Sequence, residues 1–261
     1  MESVISTDGT RIAYDKRGSG PAVVLIGGGP TDRQSEAPLA ELLASEFTVY
    51  NFDRRGRGDS DDPQPYVSER EFDDIEALID AAGGSAMVFG TSGGALITML
   101  AAARELPVTR LALWEPPYIL PGARPALPTN YRERMWELRE QGRGGDMVEF
   151  FLVHGVGMPA DMVAGMKAAP FWESMGAGAL CLAYDAELLG DLSMPRELLK
   201  TVAVPALVID GGVTPWITAS CEETAAVLQD ASRTTIAGQP HNVDAAALAP
   251  VVAGFLRGAS A

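Results

Sequence analysis

Ala86-Met87-Val88-Phe89-Gly90-Thr91-Ser92-Gly93-Gly94-Ala95-Leu96-Ile97-Thr98-Met99-Leu100 decides the fold. An apolar run that reads as a buried strand leads into a serine between glycines, and an alanine-rich helix follows at once. A serine held on so sharp a strand-to-helix turn has strained backbone geometry. Its neighbours must be small, because strand and helix backbones nearly touch there. Gly90, Gly93 and Gly94 supply that clearance. The turn lifts the Ser92 hydroxyl off the end of the sheet and sets the Gly93 N–H and the positive helix end beside it, where an oxyanion would develop. Ser92 therefore reads as a nucleophile; the strand before it and the helix after it separate the Gly-x-Ser-x-Gly pattern from a chance match.

Outward from this turn the chain alternates strands and helices. Two short runs flanking Asp8-Gly9 predict an opening hairpin. Residues 22–26 form a continuous apolar run ending in Gly27-Gly28-Gly29-Pro30, which fits a strand buried on both faces that stops in a loop with bare N–H groups. A helix is expected over 37–44 and a strand over 47–52, the latter ending in Asp53-Arg54-Arg55-Gly56-Arg57-Gly58-Asp59-Ser60. Two glycines among alternating charges suggest a tight, internally hydrogen-bonded turn there. A helix over 68–82 and a strand over 111–114 reaching Glu115-Pro116-Pro117 follow the same rhythm. Much later, 202–210 restores the core; a helix over 221–228, a strand over 233–236, a loop carrying His241 and a helix over 245–256 close the chain.

The glycine loop, the 53–60 turn, the serine turn and the late His241, in that order, resemble the α/β-hydrolase superfamily over nearly the whole chain. The resemblance implies an α/β fold: a mostly parallel sheet of about eight strands with helices on both faces and a helical cap inserted after the sixth strand. It divides the chain into a core of residues 1–117 and 201–261 and a cap of 118–200. It further implies that His241 is the general base and that the Gly29 N–H joins that of Gly93 in the oxyanion hole. Gly27 stands where many members carry histidine, so this loop is a variant.

Between 118 and 200 the composition itself changes. Pro121, Pro125 and Pro128 make a linker, and helical periodicity then continues around 131–140, 146–153, 161–168 and 171–189 with no strand between. The stretch is rich in tryptophan, phenylalanine and methionine. Trp136, Phe151, Trp172 and Met175, with Gly28 from the glycine loop, are expected to line a pocket for an apolar substrate, while other large side chains pack the cap onto itself. His154 lies in the same segment and is expected to stand outside the chemistry.

The usual third member of the triad is an aspartate shortly after the seventh strand, where this chain reads Gly211-Gly212-Val213-Thr214-Pro215. Threonine cannot carry the charge that stabilises a forming imidazolium. Glu115, Asp210 and Asp244 are the available substitutes. Glu115 is preferred, because some members of the superfamily, haloalkane dehalogenases among them, place the acid at the tip of the sixth strand; Asp210 is the alternative.

Bulk properties narrow the partners. A chain of 261 residues with 47% hydrophobic content suits one large α/β domain or a core with an insertion. A net charge of −15 argues against nucleic acid or an anionic membrane surface. No apolar run approaches the roughly 20 residues needed to cross a bilayer, so a soluble, cytoplasmic protein is expected. Cys181 and Cys221 suit reduced thiols. His154 and His241 are the only histidines and no carboxylates flank them at ligand spacing, so no metal and no cofactor are expected. The expected partner is a small apolar substrate; the oligomeric state is left open. Together these features point to a serine hydrolase of an ester, lactone or thioester. The alternatives are a non-hydrolytic reaction on the same fold (cyclisation, elimination or carbon–carbon cleavage) and a catalytically idle ligand-binding module. A dehalogenase is not expected, because it needs a carboxylate at position 92.

Overall fold

A computed structural model describes residues 1–258. Eight strands form one sheet: β1 (Glu2–Ile5), β2 (Arg11–Arg17), β3 (Ala22–Ile26), β4 (Thr48–Phe52), β5 (Ala86–Thr91), β6 (Val108–Trp114), β7 (Ala206–Asp210) and β8 (Ala231–Thr235). Their spatial order is β1-β2-β4-β3-β5-β6-β7-β8, antiparallel across β1, β2 and β4 and parallel from β4 onward. The expected mostly parallel, eight-stranded α/β architecture is what the chain adopts.

Alternation along the strands makes the two cores. Val24 and Ile26 on β3, Val88 on β5, Leu111 and Leu113 on β6 and Val208 on β7 pack on one face. They meet α2 (Arg70–Ala81), α3 (Gly93–Ala103) and α10 (Pro215–Val227) through Ile75, Leu96, Ile97 and Ile217. The intervening residues Val23, Leu25, Phe89, Ala112, Trp114, Leu207 and Ile209 face the other way. There α1 (Arg33–Leu43) contributes Leu39 and Leu43, and α11 (Ala245–Leu256) contributes Leu248 and Val252. Burial on both faces is why these strands read as unbroken apolar runs.

Between β6 and β7 the regular structure is helical: α4 (Tyr131–Glu140), α5 (Gly144–Phe150), a π-helical turn over Phe151–Val156, α6 (Ala160–Met166), α7 (Phe171–Gly178), a 3₁₀ turn over Ala179–Cys181, α8 (Leu182–Leu189) and α9 (Arg196–Leu199). This insertion has a core of its own, with Met135, Leu138, Met147, Val148, Val163, Leu182 and Ala183 buried together.

Several boundaries differ from the sequence reading. Helix α1 begins at Arg33, not near residue 37, because the Asp32 carboxylate accepts the Gln34 N–H at 2.8 Å as N-cap and the helix runs through Pro38. Strand β6 begins at Val108, its polar Thr109 and Arg110 having hidden the start. Helix α10 begins at Pro215, where a proline fits the first turn. The expected single helix over 171–189 is broken by the 3₁₀ turn.

Turn 53–60 is denser than a surface loop. Arg54 forks onto Glu71 at 2.9 and 2.8 Å, and Arg55 onto Asp74 at 2.7 and 2.7 Å, all four side chains being buried. Arg54 and Arg57 both reach Asp185 of α8 at 2.8 Å. The core thus grips the insertion through buried ion pairs. Among the described residues no helix is long and apolar enough to cross a membrane. Cys181 and Cys221 are both free and buried.

Candidate active site

Strand β5 delivers Ser92 at φ 53°, ψ −124°, a left-handed conformation that a non-glycine residue adopts only when its surroundings enforce it. The enforcement is visible. Ser92 N–H donates to the Trp114 carbonyl at 2.8 Å, and the Ser92 carbonyl accepts from Ala95 N–H at 2.9 Å. A side-chain carbon on Gly94 would stand 2.1 Å from the Ile26 carbonyl oxygen, and one on Gly90 2.4 Å from Thr98 Oγ1, so neither position admits alanine without backbone movement.

The glycine loop after β3 closes against this turn. A carbon added to Gly28 would meet the Thr91 carbonyl at 2.6 Å, Gly93 N at 2.8 Å and Ser92 Cβ at 3.0 Å. Gly29, at φ 56°, brings its amide nitrogen to 3.8 Å from where a Gly93 side chain would start. The Gly29 amide nitrogen therefore lies close to Gly93 at the start of α3.

His241 sits on the loop before α11, and its Nδ1 lies 2.6 Å from Glu115 Oε2. Glu115 follows β6 directly at φ 45° and is 1% exposed; its other oxygen accepts the Gly211 N–H at 3.0 Å. A buried carboxylate so satisfied on one oxygen and facing an imidazole on the other orients that ring and stabilises its protonated form. Asp210, the alternative, points elsewhere: it is fully buried and bound to Arg233 Nε at 2.9 Å and Thr235 Oγ1 at 3.2 Å. Asp244 caps α11 by accepting the Ala246 N–H at 2.9 Å. Ser92, Gly29, Gly93 and His241 line one cavity of ≈ 140 Å³.

The sequence matches the pattern of the alpha/beta hydrolase family over residues 23–252. The chain belongs to the alpha/beta hydrolase family. A crystal structure of an alpha/beta hydrolase from Sphaerobacter thermophilus DSM 20745 is 48% identical, with a TM-score of 0.92 over 98% of this chain and 100% of that one. An uncharacterized hydrolase of Bacillus subtilis (strain 168) is 36% identical over 97 residues, so the chain spans only 36% of that relative's length. A 2-(acetamidomethylene)succinate hydrolase of Mesorhizobium japonicum is 27% identical over 239 residues, 88% of this chain and 84% of that protein.

Hydrolase-fold helices supply the cavity's roof unevenly. Phe151, in the π-helical turn, lines it beside Tyr131, Leu182, Ala186 and Leu189. Three of the expected lining residues do not. Trp136 donates its indole N–H to Glu187 at 3.0 Å and tilts against Tyr66 and Tyr184; Trp172 lines a separate depression beside Gly144 and Gly145; Met175 packs into the insertion's own core. Helical periodicity identifies an apolar face but not the surface it packs against. Gly28 lines a second chamber next to the first, as do Gly29, Ser92, Phe151 and His241. His154 packs on Phe150 with ring centroids 4.6 Å apart and lines neither of these two cavities.

The sequence reading missed Trp114. Its carbonyl holds Ser92 N–H, and its indole N–H donates to the His241 carbonyl at 2.9 Å, so the end of β6 ties nucleophile and histidine loop together. Its place immediately before Glu115 was the available signal. Asp185 was also missed: it is buried and lines the cavity, held by the two arginines of the 53–60 turn.

Proposed function

We propose that this hydrolase-family protein cleaves an ester, lactone or thioester of a largely apolar small molecule through Ser92, His241 and Glu115. One observation carries the reading: His241 Nδ1 faces the buried Glu115 carboxylate at 2.6 Å, while its loop and Ser92 border one cavity. In this mechanism His241 Nε2 takes the Ser92 proton as Oγ attacks the substrate carbonyl, and the Gly29 and Gly93 N–H groups hold the resulting oxyanion. The tetrahedral adduct collapses with His241 giving the proton to the leaving oxygen or sulfur. Water, deprotonated by the same histidine, then attacks the acyl-serine and releases the acid. Glu115 stays ionised throughout and offsets the imidazolium charge.

The insertion serves as a cap in this reading, residues 118–200 roofing a core of 1–117 and 201–261. Tyr131, Phe151, Leu182 and Leu189 then hold the apolar part of the substrate. The relatives' names support hydrolysis in general. A panel of p-nitrophenyl esters and lactones, run on the wild type and on Ser92→Ala, tests the proposal. Turnover of apolar acyl esters that vanishes in the variant is expected. Turnover surviving in Ser92→Ala, or confined to acetate-sized polar esters, overturns it.

A further inference from the structure

Ser92 and His241 border two chambers, and the second differs in chemistry from the first. It has a volume of ≈ 540 Å³ and runs from the glycine loop past Glu36 on α1 to Asn242 and Asp244 before α11. That is inside the range of about 300–1,000 Å³ usual for small-molecule sites. Its titratable wall groups are Glu36, Asp244 and His241, and neither lysine nor arginine lines it. Asp244 is occupied in capping α11. Glu36 is only partly buried and has no hydrogen-bond partner among the described residues; that partial burial pushes its carboxyl up to about 7.

We propose that Glu36 anchors a positively charged group of the substrate, an alkylammonium, in this second chamber; the assignment rests on Ser92 and His241 being the reacting pair. A carboxylate on a cavity wall with no partner of its own attracts a cation, most of all one that enters with little hydration. A quaternary ammonium fits that description. Phe151, whose ring borders both chambers, offers it an aromatic surface as well. An anionic group would meet two carboxylates and neither lysine nor arginine. The substrate class that follows is an ester or thioester with its apolar part under the insertion and a cationic part beside Glu36.

Binding of choline and of its uncharged isostere 3,3-dimethylbutan-1-ol to the Ser92→Ala protein tests this without turnover, so it stands apart from the ester panel. The two probes share shape and differ in charge. Glu36 ionises as pH rises through about 7, so the preference for choline should grow in that direction. Calorimetric titration should give roughly a tenfold preference at about pH 8.5, falling to near parity at about pH 5.5. Adding Glu36→Gln should abolish the preference at both pH values. Adding His241→Ala instead should leave the pH-dependent preference in place. Equal affinity for both probes at pH 8.5, a preference that persists in Glu36→Gln, or no choline binding at all overturns the proposal.

Discussion

At the scale of single residues, the acid is the departure from pattern. Position 214 carries threonine, and Glu115 stands against His241 from the neighbouring strand end. In the proposed triad, replacing Glu115 by glutamine keeps the shape and removes the charge that would stabilise imidazolium. Loss of a triad acid slows turnover by about four decades, roughly 5 kcal/mol at 1.36 kcal/mol each. Glu115→Gln should therefore lower kcat at least about a hundredfold with circular dichroism unchanged. Asp210→Asn should register in thermal stability, since Asp210 holds Arg233 and not the histidine. A near-normal rate in Glu115→Gln with collapse in Asp210→Asn would reverse the assignment. Gly28→Ala makes a second residue-scale test. Its new methyl meets the Ser92 turn at 2.6–3.0 Å, so kcat should fall more than KM changes.

At the scale of elements, the 53–60 turn explains how separate pieces become one site. Arg57 touches the Gly29 carbonyl through Nε at 3.3 Å and Asp185 of α8 at 2.8 Å, linking the glycine loop, the turn and the insertion. Removing one partner of such a buried pair costs about 3–5 kcal/mol. The latch has an acid limit. Burial alone would raise the Glu71 carboxyl, but the Arg54 guanidinium beside it holds it below its ordinary value. Its stabilisation is therefore complete above the unfolded carboxylate pKa of about 4.3 and is lost as pH falls through the lower folded-state value. Asp8, held down to about 2 by Thr10 and Arg55 against the upward push of burial, acts in the same direction. Urea midpoints should drop below about pH 4, and Glu71→Gln should flatten that drop while lowering the midpoint at pH 7. A variant with an unaltered acid slope would show that the latch does not set acid stability.

At the scale of the whole molecule, legibility followed burial. Strands β3, β5 and β7 stand out in the sequence because both faces are covered and each is an apolar run, broken by a polar side chain only at the last residue of β5 (Thr91) and of β7 (Asp210). The serine turn was legible for the opposite reason: Gly90 and Gly94 are there because Thr98 and Ile26 leave no room for a side chain. What stayed hidden depends on partners distant in the chain. Nothing local to Arg54, Arg55 or Arg57 says that they are buried, since Glu71, Asp74 and Asp185 reach them across 17, 19 and 128 residues. Trp136 and Trp172 read as pocket lining because periodicity gives a face and not a neighbour. The account as a whole stands on an activated serine. Intact-mass measurement after fluorophosphonate treatment tests it most directly: the wild type should gain one adduct, mapped to Ser92, while Ser92→Ala gains none and His241→Ala reacts far more slowly. Wild-type protein that stays unmodified under conditions that label an ordinary esterase would contradict it.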